Sequence, residues 1–590
     1  MKQKISDHMK KNWNEYVSVI LMLFIITLGL IYKFNLVNFD MSYPLAYSGG
    51  DDMSMLVDAK MLSEQNWIME TDRLGTPNGT QMYDFSANYL HNVGMIIMKF
   101  FVFIARDAMV GFNLTYLSIF VLAGIVSYIV MRQIKINCWI SSLMSAVYGM
   151  SPFMLARGVG HMVLVEAYFV PLSFLLCFYI MEREDVFKFD KYFFKRPINY
   201  VVILIAMLIA NNGIAYYPYF TCFILLVTGI SKWLKNKKPE GFIRAVLMCV
   251  AIAIFFILCM VPAKIYNIQN GANQAAVHRY GFIETEMYGL KLIMLFIPRY
   301  SHGISMLQKI IDMYDSGTTY LNENITEYLG IIAIIGFVIL IFGLFINRDN
   351  ALKKRLSMLS EINIMLILLG TTSGLGTIIS FLITDKIRGY NRISIFIEYV
   401  CILAVALIIN SFTGQKRIKN KIFSTVIMIL TGFICVISIW EGCEGQVPVT
   451  TYESIQTEYD SDEKFVSYIE SSVNEGSMIY QLPYHKYPEG ESQNEMWDYH
   501  LFIGYLHSDN LKWSYGSVKG RQGDDWNYNV GHMTEERMVS TLNDAGFAGI
   551  YIDRRAYLAD ELSELEENLT KIIGNEPVIS DNGNLSFYKF

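Results

Sequence analysis

Long apolar stretches, separated by short polar segments, occupy the first three quarters of the chain. A transmembrane helix needs about 20 consecutive, mostly apolar residues, and the pattern predicts eleven such helices. The predicted ranges are 16–34, 109–131, 138–155, 162–180, 199–213, 214–230, 243–262, 326–346, 361–383, 390–411 and 421–440. The sequence therefore predicts a polytopic α-helical membrane domain over residues 1–440.

Two positions in this pattern need interpretation. The fifth and sixth spans form one apolar tract, which we divide at Asn211-Asn212-Gly213 because polar residues and glycine favour a tight turn. The stretch 89–105 is also apolar and leads into Arg106-Asp107. We predict that it is an interfacial or re-entrant helix that closes the first long loop, about 36–108, and we predict a second long loop at about 263–325.

The last 150 or so residues have a different pattern. They are polar and acidic, and apolar and polar residues alternate at 477–482 and 549–553, as is typical of β-strands. Helical periodicity occurs near 533–546 and 555–573. We predict that residues 441–590 form a small soluble α/β domain.

Composition agrees with a membrane protein. Of the 590 residues, 53% are hydrophobic and 17% are charged, whereas soluble domains carry about 25% charged residues. The net charge of −6 gives no reason to expect a nucleic-acid partner. Seven of the eight cysteines lie in or beside apolar tracts, and Cys443 stands just past the last tract; their spacing does not resemble a metal site or a disulfide framework.

Basic residues indicate the orientation. The N-terminus and alternate loops carry Lys/Arg clusters, at 2–11, 132–135, 191–196, 232–238, 353–355 and 416–421. Cytoplasmic loops are enriched in Lys and Arg, so these segments are predicted to be cytoplasmic. The two long loops and residues 441–590 are then extracytoplasmic. Counting 89–105 as a full span would place the later clusters outside, so we do not.

Adjacent acids follow the first span, in Ser48-Gly49-Gly50-Asp51-Asp52. A carboxylate at this place is a candidate general base for an acceptor hydroxyl. The alternative is that the pair caps a helix running from Met53 to about Gln65. The two interpretations are compatible, because a capping turn also fixes a side chain in place. Later in the same loop, Tyr83 and Asp84 are candidates for a sugar pocket, although turn formation by the preceding Gly-Thr-Pro-Asn-Gly stretch is the stronger signal.

Basic residues at the predicted external ends of spans are candidate phosphate ligands. Arg157 and His161 lie between two spans, and the alternative for them is an interfacial role. Arg388 and Arg392 stand on the side where the Lys/Arg rule disfavours them, which suggests an anion site, with lipid-headgroup contact as the alternative. Further candidate substrate-binding residues are Glu166 inside a span, Tyr217 after the Asn-Asn-Gly turn and Glu284 in the second loop.

Taken together, Gly50-Asp51-Asp52 after the first span, the helix at 89–105, the Arg157/His161 turn and the C-terminal domain resemble the GT-C superfamily of membrane glycosyltransferases. The resemblance is to the bacterial protein-mannosyltransferase-like and YfhO-like branches. The overall layout that resembles this superfamily covers most of the chain, whereas the sequence motifs that it shares are short. The family's acid is commonly a lone Asp or an Asp-Glu pair, so two Asp residues leave the base ambiguous, and the sequence favours Asp52.

The resemblance implies transfer of a sugar from a polyprenyl-phosphate carrier to a cell-envelope glycan, glycolipid or protein, with inversion at the anomeric carbon. The aspartate would accept the acceptor's proton, and the four basic residues would neutralise the leaving phosphate. Expected partners are the lipid-linked sugar, the acceptor and membrane lipids of the plasma membrane. No cofactor is predicted: paired carboxylates suit a divalent cation, but the loop lacks an evident third ligand. Alternatives are a lipid-linked-sugar flippase or transporter and an envelope polysaccharide polymerase or ligase; no inverted repeat of the transporter kind is evident.

Overall fold

The protein is a polytopic helical membrane protein with a C-terminal sheet region. The structure is a computed structural model, and it describes residues 12–85, 89–277, 281–298, 302–318, 326–414 and 421–590. The helices of its membrane part are α1 Trp13–Lys33, α2 Asp51–Glu64, α3 Asn92–Ala105, α4 Ala108–Gln133, α5 Cys138–Gly149, α6 Pro152–Arg157, α7 Met162–Val165, α8 Val170–Glu182, α9 Pro197–Ala210, α10 Tyr216–Asn236, α11 Glu240–Asn270, α12 Ile283–Met287, α13 Ser305–Gly317, α14 Gly330–Gly343, α15 Ala351–Gly370, α16 Leu375–Leu382, α17 Ser394–Gly414 and α18 Lys421–Gly442.

Helices lie at all eleven predicted span positions, and the predicted fold class is confirmed. Seven helices of the described residues are long and apolar enough to cross a membrane. At two other predicted positions, α9 and α14 have only 14 residues each. The ninth prediction was wrong in its bounds: α15 begins at Ala351 and ends at Gly370, and α16 is a separate helix, because the chain turns at 371–374.

The first long loop folds onto the end of the helix bundle. It contains α2 and a short antiparallel hairpin of β1 Glu70–Thr71 and β2 Thr80–Gln81. Helix α3 follows and has 14 residues, fewer than the about 20 of a span. Helix α2 packs against α3, α4 and a 3-10 turn at Val159–His161, and most of its side chains are buried.

The C-terminal region is an α/β layer. Its elements are α19 Val449–Ser472, β3 Met478–Leu482, α20 Ile503–His507, β4 Lys512–Trp513, α21 Gln522–Gly531, α22 Glu535–Asp544, β5 Phe547–Asp553, α23 Ala559–Ile573, β6 Val578–Ile579 and β7 Leu585–Lys589. The strand order is β4-β3-β5-β7-β6; β3 is parallel to β4 and β5, and β7 is antiparallel to β5 and β6. Strands and helices therefore occur where the alternation and periodicity predicted them.

The two faces of this sheet belong to different hydrophobic cores. Side chains alternate between the faces of a strand, so Ile479 and Tyr551 join the large core shared with the helix bundle and the first loop. Their neighbours Tyr480, Ile550 and Ile552 join a smaller core under α22 and α23. The C-terminal layer is thus packed onto the rest of the chain over one whole face.

The first loop also extends the sheet. Residues 73–76 run along β4, where the Trp513 amide donates to the Arg73 carbonyl over 2.8 Å and the Thr76 amide donates to the Trp513 carbonyl over 3.1 Å. Residues 73–76 thereby pair with the edge of the sheet at β4, which would otherwise be open. The basic clusters at 2–11 and 416–420, on which part of the orientation argument rests, lie outside the described residues.

Candidate active site

The turn before α2 is fixed by Asp52. Helix α2 begins at Asp51, so both acids occupy its first turn, where the helix dipole favours negative charge. The Asp52 side chain is buried and accepts hydrogen bonds from the Ser48 amide (2.6 Å) and the Ser48 hydroxyl (2.5 Å). Asp52 therefore holds the Ser48-Gly49-Gly50 turn in place.

Gly49 permits the C-terminal region to approach this turn. Its φ is +77°, and a Cβ there would lie 1.9 Å from Cδ2 of His500. The Gly49 carbonyl accepts a hydrogen bond from the Tyr499 amide over 2.8 Å. A residue with a side chain would be strained at this φ and would collide with the imidazole, so the sequence requires glycine here.

Asp51, in contrast, is exposed at the start of α2. Neighbouring protein atoms nevertheless partly desolvate its carboxylate. This desolvation, followed by the negative charges of Asp498, Asp52 and Glu489, raises the pKa of Asp51 to about 6, while the Arg392 charge opposes the rise. A carboxylate with a pKa near neutrality is suited to accept and release a proton at physiological pH.

Arg392 acts on Asp51 directly, and Arg388 acts on Glu489, one of the acids that raise the pKa of Asp51. Arg392 interacts electrostatically with Asp51, and its guanidinium lies 4.3 Å from the centre of the Tyr216 ring. The Arg388 guanidinium donates a 2.9 Å hydrogen bond to the buried Glu284 carboxylate and also lies within charge-interaction range of Tyr216. The second-loop residue Glu284 thus orients an arginine, which was not part of the sequence prediction.

Arg157 is placed inside the protein. Its guanidinium is only 1% exposed and lies 3.6 Å from the Glu327 carboxylate, which is fully buried. The Tyr217 hydroxyl, which bonds the Leu164 carbonyl, lies within charge-interaction range of Arg157, Arg392 and Glu166. Arg157 and Arg392, which are far apart in sequence, therefore both act on the charge of Tyr217.

The remaining predicted residues divide into two groups. Glu166 is buried against Gly94 of α3, where a Cβ would lie 1.8 Å from its Oε1. His161 is exposed, in the 3-10 turn that packs on α2, and the adjacent Gly158 and Gly160 face open space. Glu166 and His161 thus both contact elements that surround α2.

Tyr83 and Asp84 instead form a structural junction. Asp84 receives two hydrogen bonds from Arg521, of 2.6 and 2.8 Å, and Tyr83 stacks on Tyr266 with ring centres 4.9 Å apart. Within the described residues, no contact joins either of them to Asp51 or to the arginines near it. Sequence alone could not show this, because Arg521 lies 437 residues after Asp84.

Two acids of this site were missed by sequence analysis. Glu489 and Asp498 belong to the C-terminal region, and both act on the charge of Asp51. Glu489 has a φ of +53°, in the left-handed region, but nothing in the local sequence Tyr487-Pro488-Glu489-Gly490 links it to a residue 438 positions earlier. The described residues contain no group of three or more His, Cys, Asp or Glu side chains that could hold a metal ion.

Comparison with known proteins gives a family and a fold. The model of a family described as "Domain of unknown function (DUF6311)" matches residues 21–381. The crystal structure of ArnT from Cupriavidus metallidurans in the apo state is 11% identical, with 96% of each chain covered and a TM-score of 0.50. The structure of the same protein bound to undecaprenyl phosphate is 11% identical, with 96% of this chain and 97% of that chain covered and a TM-score of 0.42. No curated protein matches the chain.

ArnT is a glycosyltransferase of the GT-C fold. At 11% identity the likeness to its apo structure shows the fold alone. It shows an ArnT-like fold for this chain and gives no support to the YfhO-like branch.

Proposed function

The chain belongs to the DUF6311 family, and we propose that it is a membrane glycosyltransferase that takes its sugar from a polyprenyl-phosphate donor. One observation carries the proposal. The fold brings an exposed carboxylate, Asp51, within charge-interaction range of Arg392 in a helix bundle of the GT-C type, and Arg388 interacts with Glu489, which also acts on Asp51.

Asp51 is the proposed general base. It is exposed and its pKa is about 6, whereas Asp52 is buried and already accepts two hydrogen bonds. We therefore assign the base to Asp51, although the sequence favoured Asp52. Asp52 is a positioning residue, because it fixes the turn from which Asp51 projects.

Arg388 and Arg392 are the proposed ligands of the donor phosphate. A guanidinium can bind a phosphate with two parallel hydrogen bonds. The Glu284 carboxylate and the Tyr216 ring hold the two guanidinium groups. Arg157 lies in the interior beside Glu327, and exposed His161 flanks α2. Held in this way, the charges need little reorganisation when negative charge develops on the leaving group.

The proposed reaction is a single displacement. An acceptor hydroxyl oxygen forms a bond to the anomeric carbon while its proton passes to Asp51. The bond between the anomeric carbon and the phosphate oxygen breaks, and its electron pair leaves with the lipid phosphate. Attack opposite the leaving group inverts the anomeric configuration. No activated nucleotide is needed, because the lipid phosphate is the leaving group.

The proposed location is the outer face of the plasma membrane. Lys/Arg clusters mark the opposite ends of the spans as cytoplasmic, which assigns the α2 loop and the C-terminal layer to the outside. The expected acceptor is a cell-envelope glycan, glycolipid or protein.

Binding and transfer by purified variants test the proposal. Asp51→Asn is expected to lower sugar transfer by about 10²–10⁴-fold, the usual contribution of a general base, while undecaprenyl phosphate binding is retained. Arg388→Gln and Arg392→Gln are expected to weaken undecaprenyl phosphate binding by about tenfold or more each. Lys386→Gln is the matched control, because it removes an exposed charge from the same segment.

The assays use protein in lipid nanodiscs, with native mass spectrometry for lipid binding and product analysis for transfer. Transfer that persists in Asp51→Asn refutes the assignment of the base. Equal undecaprenyl phosphate affinity in wild type, both arginine variants and the Lys386 control refutes the phosphate site.

A further inference from the structure

A second cavity lies outside the site around Asp51. Its volume is about 410 Å³, and it is an open cleft lined by residues 78–81 at the end of the hairpin turn, the last turns of α11 and the loop 517–524. Small-molecule sites have volumes of about 300–1,000 Å³. The cavity is thus large enough for a ligand, and it is built jointly by the membrane part and the C-terminal layer.

The cavity also has the position of a ligand site in an α/β layer. In such sheets, ligands bind beyond the carboxyl ends of parallel strands, where connections leave in opposite directions. The loop that forms one wall follows β4, and β3 lies between β4 and β5. A small cleft beside the cavity is lined by Pro483 and His485, which follow β3, and shares Ser517 and Asp524 with it.

The charged groups in the wall are already used within the protein. Arg521 donates two hydrogen bonds to Asp84 and a third to the Asn270 carbonyl. Asp524 accepts hydrogen bonds from the Tyr484 hydroxyl and the Gly520 amide. The wall therefore offers no uncommitted cation to a phosphate or a nucleotide.

Neutral groups remain available. The side-chain amides of Asn78, Gln81 and Gln522 are exposed at the cavity and make no hydrogen bond with the described residues. Each amide offers two donor hydrogens and one acceptor oxygen. The Tyr266 ring is held by Tyr83 and by the Arg521 guanidinium, 4.8 Å from the ring centre. Neutral groups that both donate and accept hydrogen bonds match the hydroxyl groups of a sugar.

We propose that this cavity binds a neutral saccharide segment of the acceptor. The proposal rests on the proposed glycosyltransferase function. One chain segment links the two sites: the Lys519 amide and ammonium group donate to the carbonyls of Tyr487 and Glu489, over 2.7 and 3.2 Å. Glu489 in turn acts on the charge of Asp51. A glycan anchored in the cavity would thus lie beside the segment that borders the proposed base.

Saccharide binding tests the inference without any transfer. Saturation-transfer NMR on the full chain in nanodiscs would use maltotriose, cellotriose, mannotriose and anionic trigalacturonate as probes. At least one neutral trisaccharide is expected to bind, and trigalacturonate more weakly. The double variant Gln81→Ala/Gln522→Ala is expected to weaken binding by about tenfold, since two amides are lost. Gln493→Ala, an exposed glutamine of the C-terminal layer, is the matched control.

The outcomes separate the two proposals. Trisaccharide binding that is lost in the double variant supports the saccharide site. If wild type then transfers no sugar, only the proposed glycosyltransferase function is refuted. Failure of every neutral trisaccharide to bind, stronger binding of trigalacturonate, or equal binding by the double variant and wild type overturns the subsite. Asp51→Asn is expected to bind the trisaccharide as wild type does.

Discussion

The pH dependence of sugar transfer is the sharpest test of the site around Asp51. If Asp51 is the base, only its ionised form supports transfer, so kcat/KM should rise with pH through the pKa of about 6. At pH 5 about one tenth of the Asp51 side chains would be ionised, and at pH 7 about nine tenths. An aspartate with the ordinary pKa of about 3.9 would already be about nine tenths ionised at pH 5.

Substitution of the neighbouring acids tests why the pKa of Asp51 is raised. Among the charged neighbours that raise the pKa of Asp51, Asp498 has the largest effect, and Glu489 also contributes. Asp498→Asn should therefore move the rise in kcat/KM to lower pH, and by more than Glu489→Gln does. Two unit charges about 4 Å apart in water interact with a free energy of about 1 kcal/mol, so removing one such charge corresponds to a shift of about 0.7 of a pH unit. Asp525→Asn removes an exposed acid that does not act on Asp51 and should leave the profile unchanged.

The assay is the initial rate of transfer at subsaturating acceptor between about pH 4.5 and 8, with protein in nanodiscs and with folding monitored at each pH. A rise centred below pH 5 would show that Asp51 is not the titrating base. A rise near pH 6 that does not move in Asp498→Asn would refute the account of its cause.

Two predictions concern how the C-terminal layer is attached. Gly49→Ala should lower the free energy of unfolding by about 1–3 kcal/mol, because its φ is +77° and a Cβ would collide with the His500 ring. Gly50→Ala, where a Cβ meets only ordinary contacts, should change it little; equal melting temperatures of the two variants would contradict this. Asp84→Asn should cost about 3–5 kcal/mol, because it leaves the Arg521 charge without its buried partner. Asp72→Asn, which breaks an exposed pair, should lower the free energy of unfolding by about 1 kcal/mol or less. Equal free energies of unfolding for the Asp84 and Asp72 variants in denaturant would contradict a stabilising role of the Asp84–Arg521 pair.

Local pattern was sufficient for the elements of the fold. An apolar run long enough to cross a membrane is visible wherever it occurs, and helices lie at all eleven predicted positions. Alternation likewise indicated β3 and β5. The error in the start of α15 arose where charged residues 353–355 precede the apolar stretch. A helix that projects beyond the apolar layer continues through charged residues, which an apolar pattern does not detect.

For the site, sequence patterns were enough to indicate that two acids begin a helix after the first span and that arginines stand near the ends of other spans. Which acid is exposed depends on packing, because Ser48 and the packing of α2 bury Asp52. The tertiary structure also decided that Asp84 pairs with Arg521 and that Glu489 and Asp498 reach Asp51. These interactions join residues more than 400 positions apart. The burial and the neighbouring charges that set the pKa of Asp51 therefore come from residues distant in sequence, which the local sequence does not reveal.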